Sequence, residues 1–198
     1  MTGRASVDRS VTVTRVIRQH RRGTLVAAVA VLTLALVACS SSQAEKAGKN
    51  EQPRPLTYEA VDAVTGEPVS LTDLRGRPAL LASWATWCAP CRKELPRLEQ
   101  LHKAQGDDGL QVVVVNLDSP GKDSATIQEI AAGYGLTMRQ WRDSEDTFTV
   151  AFKGFGIPMS VLLDHRGVVV HRWYGAINPA DEDVKGPIAA ALAKARKD

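Results

Sequence analysis

The sequence predicts one α/β sandwich domain, in which helices cover a central β-sheet. From Leu56 onward, short apolar runs typical of strands alternate with amphipathic segments typical of helices. Residues 111–117 (QVVVVNL) are largely β-branched and apolar on both faces, which predicts a strand buried within the sheet. A chain of 198 residues, 44% of them apolar, is long enough for one such domain and shows no internal repeat.

The first elements of this domain can be placed from their apolar spacing. Residues 79–84 (ALLASW) form a short apolar run directly after a proline, which predicts a buried strand. An amphipathic helix is predicted over residues 90–104, where apolar side chains recur among charged ones at Leu95, Leu98 and Leu101.

The second half of the domain is predicted to contain three helices and a hairpin. The helices are expected over residues 124–134, 146–152 and 179–197. The last helix has acids in its first turn and bases in its last turn, which is the order that the helix dipole favours. Residues 159–164 and 168–173 predict a β-hairpin that turns at His165-Arg166-Gly167.

Positive charge is concentrated at the N-terminus. Residues 1–38 contain six arginines and one acid, Asp8, so the rest of the chain has 19 basic and 21 acidic side chains. A slightly acidic body has no electrostatic attraction for phosphate backbones, and we therefore exclude nucleic-acid binding.

Residues 1–38 are predicted to be a secretory signal peptide. The arginines precede an apolar run from Leu25 to Ala38, whose fourteen residues would rise about 21 Å as a helix, less than the ~30 Å hydrocarbon core. A basic region, a short apolar region and small residues after it are typical of an export signal. An uncleaved membrane anchor is the alternative.

The apolar run ends in Leu36-Val37-Ala38-Cys39, which resembles the lipobox of bacterial lipoproteins. The resemblance implies that Cys39 is lipidated and becomes the mature N-terminus at the outer face of the cytoplasmic membrane. Residues 39–56 are polar and proline-containing and lack an apolar period, so we predict that this lipidated segment is a flexible linker. The folded domain is then expected over residues 57–198.

Two of the three cysteines, Cys88 and Cys91, are spaced C-x-x-C where a predicted strand gives way to a predicted helix. Cysteines at this spacing lie on one face of the first helical turn, where unpaired N–H groups and the helix dipole stabilise a thiolate. A disulfide across two residues closes almost no chain, so its purpose is chemical more than structural. Zinc binding is the alternative, but His102, His165 and His171 are scattered, and we predict redox chemistry without a metal.

Three segments resemble membrane-anchored thioredoxin-like proteins of the TlpA/ResA type. They are residues 84–96 (WATWCAPCRKELP), 154–158 (GFGIP) and 66–78 (GEPVSLTDLRGRP). The resemblance covers about residues 57–195 and implies a thioredoxin-like fold with a central mixed sheet flanked by helices. It also implies a thiol:disulfide oxidoreductase, and no nucleotide, flavin or metal signature calls for a cofactor.

The resemblance assigns roles to individual residues. Cys88 corresponds to the attacking thiol and Cys91 to the resolving thiol. Pro158 corresponds to a proline that is cis in this family and faces the dithiol, which would leave the backbone of Ile157 free to pair with a substrate strand. Trp87 is expected to pack beside the disulfide and to contact the substrate.

Glu94 is the residue that bears on the direction of electron flow. General thioredoxins carry a buried acid at the position held here by Ala82, whereas Glu94 lies six residues after Cys88, where TlpA/ResA-type proteins carry a glutamate that assists the thiols. A carboxylate there disfavours thiolates, which favours a reductant, and it can relay the proton that Cys91 loses. On residue type alone, an exposed helix carboxylate is the alternative.

We therefore expect a monomeric, extracytoplasmic reductant of exported proteins that is recharged by a membrane protein, with apocytochrome c as the family's commonest substrate. An oxidant of secreted proteins and a non-enzymatic copper carrier or binding module remain as alternatives. Copper carriers on this fold use C-x-x-x-C and peroxiredoxins use P-x-x-x-T-x-x-C, and neither pattern surrounds Cys88. Arg142, Asp143 and Lys153 are expected on solvated faces.

Overall fold

The computed structural model of the protein describes residues 56–106 and 108–197. This part of the chain forms seven strands: β1 (Glu59–Asp62), β2 (Pro68–Ser70), β3 (Ala79–Trp84), β4 (Gln111–Asn116), β5 (Arg139–Arg142), β6 (Met159–Leu163) and β7 (Val169–Tyr174). It also forms four α-helices: α1 (Ala89–Gln105), α2 (Ser124–Gly133), α3 (Thr147–Ala151) and α4 (Glu182–Ala195). The predicted signal peptide and the predicted lipidation site, Cys39, lie outside the described residues. None of the helices in the described ranges has the length and apolar character needed to span a bilayer.

The seven strands make one mixed sheet in the order β2-β1-β5-β4-β3-β6-β7. Strands β3, β4 and β5 run parallel to one another, whereas every other neighbouring pair is antiparallel. The predicted central mixed sheet flanked by helices is confirmed.

The central strands bury both of their faces, which explains their continuous apolar sequences. On one face, Leu80, Val112 and Leu162 belong to a core that includes buried side chains of α1, α2 and α4. On the other face, alternate residues of the same strands pack with the aromatic side chains of Tyr58, Phe148 and Phe152. The sheet therefore holds β3, and the segment that follows it, between two cores.

Asp143 is buried, contrary to one prediction about the surface of the domain. It was predicted to lie on a solvated face, but the structure buries it at the end of β5. One oxygen of its carboxylate accepts hydrogen bonds from the Tyr58 hydroxyl at 3.1 Å, the Thr147 hydroxyl at 3.0 Å and the Phe148 N–H at 2.7 Å. Asp143 thus accepts hydrogen bonds from donors at the start of α3 and links that helix to Tyr58, the residue before β1.

Candidate dithiol site

The C-x-x-C motif spans the junction between β3 and α1. Cys88 is the N-cap residue of α1, with an extended backbone (φ −83°, ψ 97°), and its Sγ accepts a hydrogen bond from the Cys91 N–H at 3.3 Å. Pro90 lies in the first turn of the helix, where a backbone N–H would have no partner within the helix. The sequence Cys-Ala-Pro-Cys therefore starts the helix and presents both sulfurs at its N-terminus.

Cys88 and Cys91 are joined by a disulfide, with their Cα atoms 5.3 Å apart. Cys88 is 4% exposed and Cys91 is 1% exposed, and both belong to the core that packs against α1. Both cysteines are thus buried in the oxidised form, and Cys88, the N-cap residue, is the slightly more exposed of the two.

Asp118 fixes the loop that carries the motif. Its buried carboxylate follows β4 and accepts hydrogen bonds from the Thr86 N–H at 2.9 Å, the Thr86 hydroxyl at 2.8 Å and the Asn116 side-chain amide at 2.8 Å. Sequence reasoning missed Asp118, although an acid just past the carboxyl end of a buried parallel strand is a usable signal. Because Thr86 is two residues before Cys88, these bonds hold the start of the motif against the sheet.

Trp87 lies on the surface beside Cys88. Its side chain is 68% exposed, so the structure places it outside the cores, with most of its surface open to a partner. It lines an open groove of about 680 Å³ together with Asp118, Lys122, Glu145 and other residues of the loops after β4 and β5.

Glu94 is buried in α1, one helical turn after Cys91. It is only 2% exposed, and its Oε1 accepts a hydrogen bond from the Ile177 N–H at 3.1 Å. Burial raises the pKa of Glu94 to about 7, against smaller lowering contributions from the Ile177 N–H, the Ser160 hydroxyl and Arg97. The alternative of an exposed helix carboxylate is therefore wrong, and a group able to exchange protons near neutral pH lies next to Cys91 along the helix.

The second buried glutamate of α1, Glu99, has a different environment. Its carboxylate accepts hydrogen bonds from the Thr137 N–H at 2.8 Å and the Thr137 hydroxyl at 2.5 Å, and it pairs with Lys103 at 3.2 Å. Burial raises the pKa of Glu99, but the bonds from Thr137 and Lys103 outweigh that effect and lower it overall. Glu99 is thus a charged structural anchor between α1 and the segment before β5.

The peptide bond between Ile157 and Pro158 is cis. In the antiparallel pairing of β3 with β6, Ala82 lies opposite Ser160. The same register, continued by two residues, places Pro158 opposite Trp84, at the end of β3 that leads to the cysteines.

Ile157 leaves its backbone available. Its side chain is half-buried and packs against both cores, including the one that contains Cys88 and Cys91. Its N–H and C=O make no hydrogen bond with any residue in the described ranges. Such a pair of groups can accept an added extended strand.

Metal chemistry has no candidate site in the part of the chain that the structure describes. Within residues 56–106 and 108–197, no group of three His, Cys, Asp or Glu side chains is arranged to hold a metal ion.

Comparison with known proteins supports the thiol chemistry of the site. The AhpC/TSA family model matches residues 53–173. Thioredoxin-like protein YneN of Bacillus subtilis (strain 168) is 32% identical over 126 residues, which cover 64% of this chain and 73% of the relative. Thiol-disulfide oxidoreductase ResA of Geobacillus thermodenitrificans (strain NG80-2) is 30% identical over 120 residues, 61% of this chain and 66% of the relative.

A solved structure shows the same fold. The thiol:disulfide interchange protein DsbE from Chlorobium tepidum superposes with a TM-score of 0.63 at 26% identity, over 72% of this chain and 98% of that one. The family match covers more than half of the chain, and the relatives named for their activity are thiol-disulfide oxidoreductases. The chain therefore belongs to the AhpC/TSA family, within which it is a thioredoxin-like thiol–disulfide oxidoreductase of the ResA and DsbE type.

Proposed function

We propose that this enzyme is an extracytoplasmic reductant that opens disulfides in exported proteins, with apocytochrome c during cytochrome c maturation as the substrate we favour. The observation that carries the proposal is the buried carboxyl of Glu94, one helical turn from Cys91.

The direction follows from the charge of Glu94. An ionised carboxylate near the sulfurs raises the free energy of a thiolate, and therefore raises the pKa of the thiols. Because a stable thiolate is what makes the reduced form of such enzymes favourable, its destabilisation lowers the reduction potential. A low potential makes the dithiol an electron donor.

Reduction of a substrate begins at Cys88. Its thiolate attacks one sulfur of the substrate disulfide, forming a mixed disulfide and releasing the other substrate sulfur as a thiolate, which then takes a proton. We expect the substrate segment that carries the attacked cysteine to pair with the free backbone groups of Ile157 and to contact the exposed side chain of Trp87.

Release of the substrate requires Cys91. Glu94, in its ionised form, takes the proton of the Cys91 thiol, and the resulting thiolate attacks Sγ of Cys88. The Cys88–Cys91 disulfide forms, the substrate leaves as a second thiol, and two electrons have passed from the enzyme dithiol to the substrate. A pKa of about 7 lets Glu94 accept and return a proton near neutral pH.

The oxidised enzyme then needs an electron donor. With a signal peptide over residues 1–38 and a lipid on Cys39, the domain would face the outside of the membrane, where no glutathione pool is available. We infer that a membrane protein carrying a dithiol reduces the Cys88–Cys91 disulfide and so restores the enzyme. Residues 39–56 would tether the domain within reach of that donor.

A specific observation supports the oxidant as a second candidate. The Sγ of Cys88 accepts the Cys91 N–H at the helix N-terminus, an arrangement that stabilises a thiolate and raises the potential. Glu94 and the helix terminus thus act in opposite directions, and the substrates trapped in cells decide between them.

The test is a trapping experiment with Cys91→Ser in cells. Attack by Cys88 survives in this variant while resolution is lost, so mixed disulfides through Cys88 are expected to accumulate. Recovery of apocytochromes or their assembly factors with C-x-x-C-H motifs supports the reductant. Recovery of many secreted proteins with structural cysteines, captured through their already oxidised or misbridged disulfides, supports the oxidant.

Cys88→Ser is the matched control, and it is expected to trap nothing. Trapping by Cys88→Ser alone would reverse the order of the two thiols. If neither variant traps a protein, the dithiol does not exchange with proteins in the cell, and a carrier role is favoured.

A further inference from the structure

Two aromatic side chains form a stacked pair on the surface. The ring centroids of Phe155 and Tyr174 are 4.7 Å apart, and the ring planes are inclined by 21°. The Phe155 side chain is 82% exposed, and about half of Tyr174 is exposed as well. Aromatic side chains that are left open in this way are enriched at the centres of protein interfaces.

The pair flanks the segment that leads into β6. Phe155 is two residues before Ile157, whose backbone N–H and C=O have no partner among the described residues. Tyr174 lies opposite Met159 in the pairing of β6 with β7, and the Gly175 N–H donates to the Pro158 carbonyl at 2.9 Å. Both rings therefore border the backbone that lies opposite the end of β3.

Hydrogen bonds from helix α3 and from Tyr174 hold the loop backbone that precedes Phe155. Helix α3 ends in two hydrogen bonds, from the Lys153 N–H to the Val150 carbonyl at 3.2 Å and from the Gly154 N–H to the Thr149 carbonyl at 2.7 Å. The Tyr174 hydroxyl donates to the Lys153 carbonyl at 3.4 Å.

Gly154 lets this loop pack closely on β6. A Cβ at this position would come within 2.5 Å of Sδ of Met159. The backbone that carries Phe155 is thus held in place before any partner arrives, which reduces the entropy lost on binding.

We propose that the Phe155–Tyr174 pair is a substrate subsite that binds a large apolar or aromatic side chain close to the attacked cysteine. A substrate strand that pairs with Ile157 continues past Phe155, which is two residues away in the chain. Side chains on one face of an extended strand recur every two residues, about 6.6 Å apart, so the next substrate side chain on that face comes close to the pair. The inference rests on the proposed pairing of substrate with Ile157. It adds a preference for particular sequences around the disulfide.

The experiment uses the full chain, reduced chemically and then freed of reductant. Its substrates are disulfide-linked dimers of a synthetic cysteine peptide, in which one tryptophan is moved through the three positions on either side of the cysteine. An all-alanine peptide is the reference. For at least one tryptophan position, the wild-type rate constant is expected to exceed the reference by about tenfold.

Two alanine variants test whether the aromatic pair causes the preference for a tryptophan peptide. Phe155→Ala and Tyr174→Ala are expected to reduce the ratio of tryptophan peptide to alanine peptide to within about twofold of one. Val150→Ala is the matched control, because Val150 is also an exposed apolar residue but lies on α3 outside the pair. The control is expected to keep the wild-type ratio.

Three results would overturn the proposal. One is a wild-type enzyme without preference, and another is a preference that survives both aromatic substitutions. The third is a dimer in solution that Phe155→Ala converts to a monomer, which would make the pair a contact between two copies of the chain. Because the enzyme is reduced chemically, none of these results depends on the direction of electron flow in cells.

Discussion

The backbone N–H of Ile177 donates a 3.1 Å hydrogen bond to Oε1 of Glu94, a residue 83 positions earlier in the chain. This bond ties the carboxyl group of α1 to the segment after β7, and burial raises the pKa of Glu94 to about 7. Since the free energy of a protonated carboxyl is then close to that of a carboxylate at neutral pH, Glu94 can change its charge while the dithiol reacts.

Glu94→Gln is expected to raise the reduction potential of the Cys88–Cys91 couple by about 30 mV, which corresponds to about 1.4 kcal/mol. Loss of the carboxylate lowers the pKa of the thiols and so favours the reduced state. Equilibration with a glutathione or dithiothreitol buffer measures the potential. A change within ~10 mV would mean that Glu94 does not act on the sulfurs.

The control for this measurement is Glu99→Gln. It removes the same group from the same helix, at a site bonded to Thr137 and Lys103 instead. We expect Glu99→Gln to destabilise the fold and to leave the potential at the wild-type value. Equal shifts in both variants would point to a general effect of helix charge.

Glu94 also predicts how stability depends on pH. Its pKa rises from an ordinary value of 4.5 to about 7 on folding, so the folded state binds its proton more tightly than the unfolded state. Its contribution to stability is therefore fully present below pH 4.5 and is lost as the pH rises through 7, by about 3 kcal/mol. Denaturant unfolding of the oxidised wild type and Glu94→Gln should show their difference falling by this amount between pH 4 and pH 8. A difference that does not vary with pH would contradict the burial of an ionisable carboxyl.

Asp118→Ala is expected to lower the free energy of unfolding by about 2–4 kcal/mol. The substitution removes the acceptor of the Thr86 N–H, the Thr86 hydroxyl and the Asn116 amide, and leaves these buried donors unpaired. Amide hydrogen exchange should show faster exchange at Thr86. Asp123→Ala is the control, because Asp123 is an exposed N-cap of α2 and its loss is expected to cost less than the loss of the buried Asp118. Equal losses in the two variants would mean that Asp118 does not anchor the motif.

Cys39→Ala is expected to release the full chain from membranes, because one lipidated cysteine is the predicted anchor. Fractionation of cells followed by immunoblotting measures the membrane-bound share. Lipase should release the wild type in the same way. If Cys39→Ala stays with the membrane through lipase and high salt, the apolar run over residues 25–38 is an uncleaved anchor instead.

The sequence predicts the elements that have long apolar runs. Strands β3 and β4 and helix α1 lie within a residue or two of their predicted bounds. The apolar residues that they bury are adjacent or regularly spaced in the sequence, so a local pattern predicts them. The sheet strand β5 was not predicted, since its four residues (RQWR) contain one buried apolar side chain, Trp141. Its strand character comes from pairing with β4 and β1 on both sides, which no local pattern reports.

The dithiol site, too, could be predicted from the sequence only in part. The C-x-x-C spacing predicts the position of the cysteines at a helix start, because Cys88 and Pro90 act within one turn. The partner of Glu94 could not be predicted, because Ile177 contributes a backbone N–H that carries no side-chain signal. Helix α4 likewise begins at Glu182 and not at residue 179, since Asn178 and Asp181 close a turn before it.

The long separation between Glu94 and Ile177 links electron transfer to folding. The bond to Ile177, which follows β7, exists only in the folded chain, so in an unfolded chain the cysteines behave as in a simple peptide. If folding lowers the potential of the pair, a thermodynamic cycle requires the oxidised chain to resist unfolding better than the reduced chain by the same free energy. Under that condition, reduction of the Cys88–Cys91 disulfide loosens the domain, and its re-formation returns the domain to the more stable form.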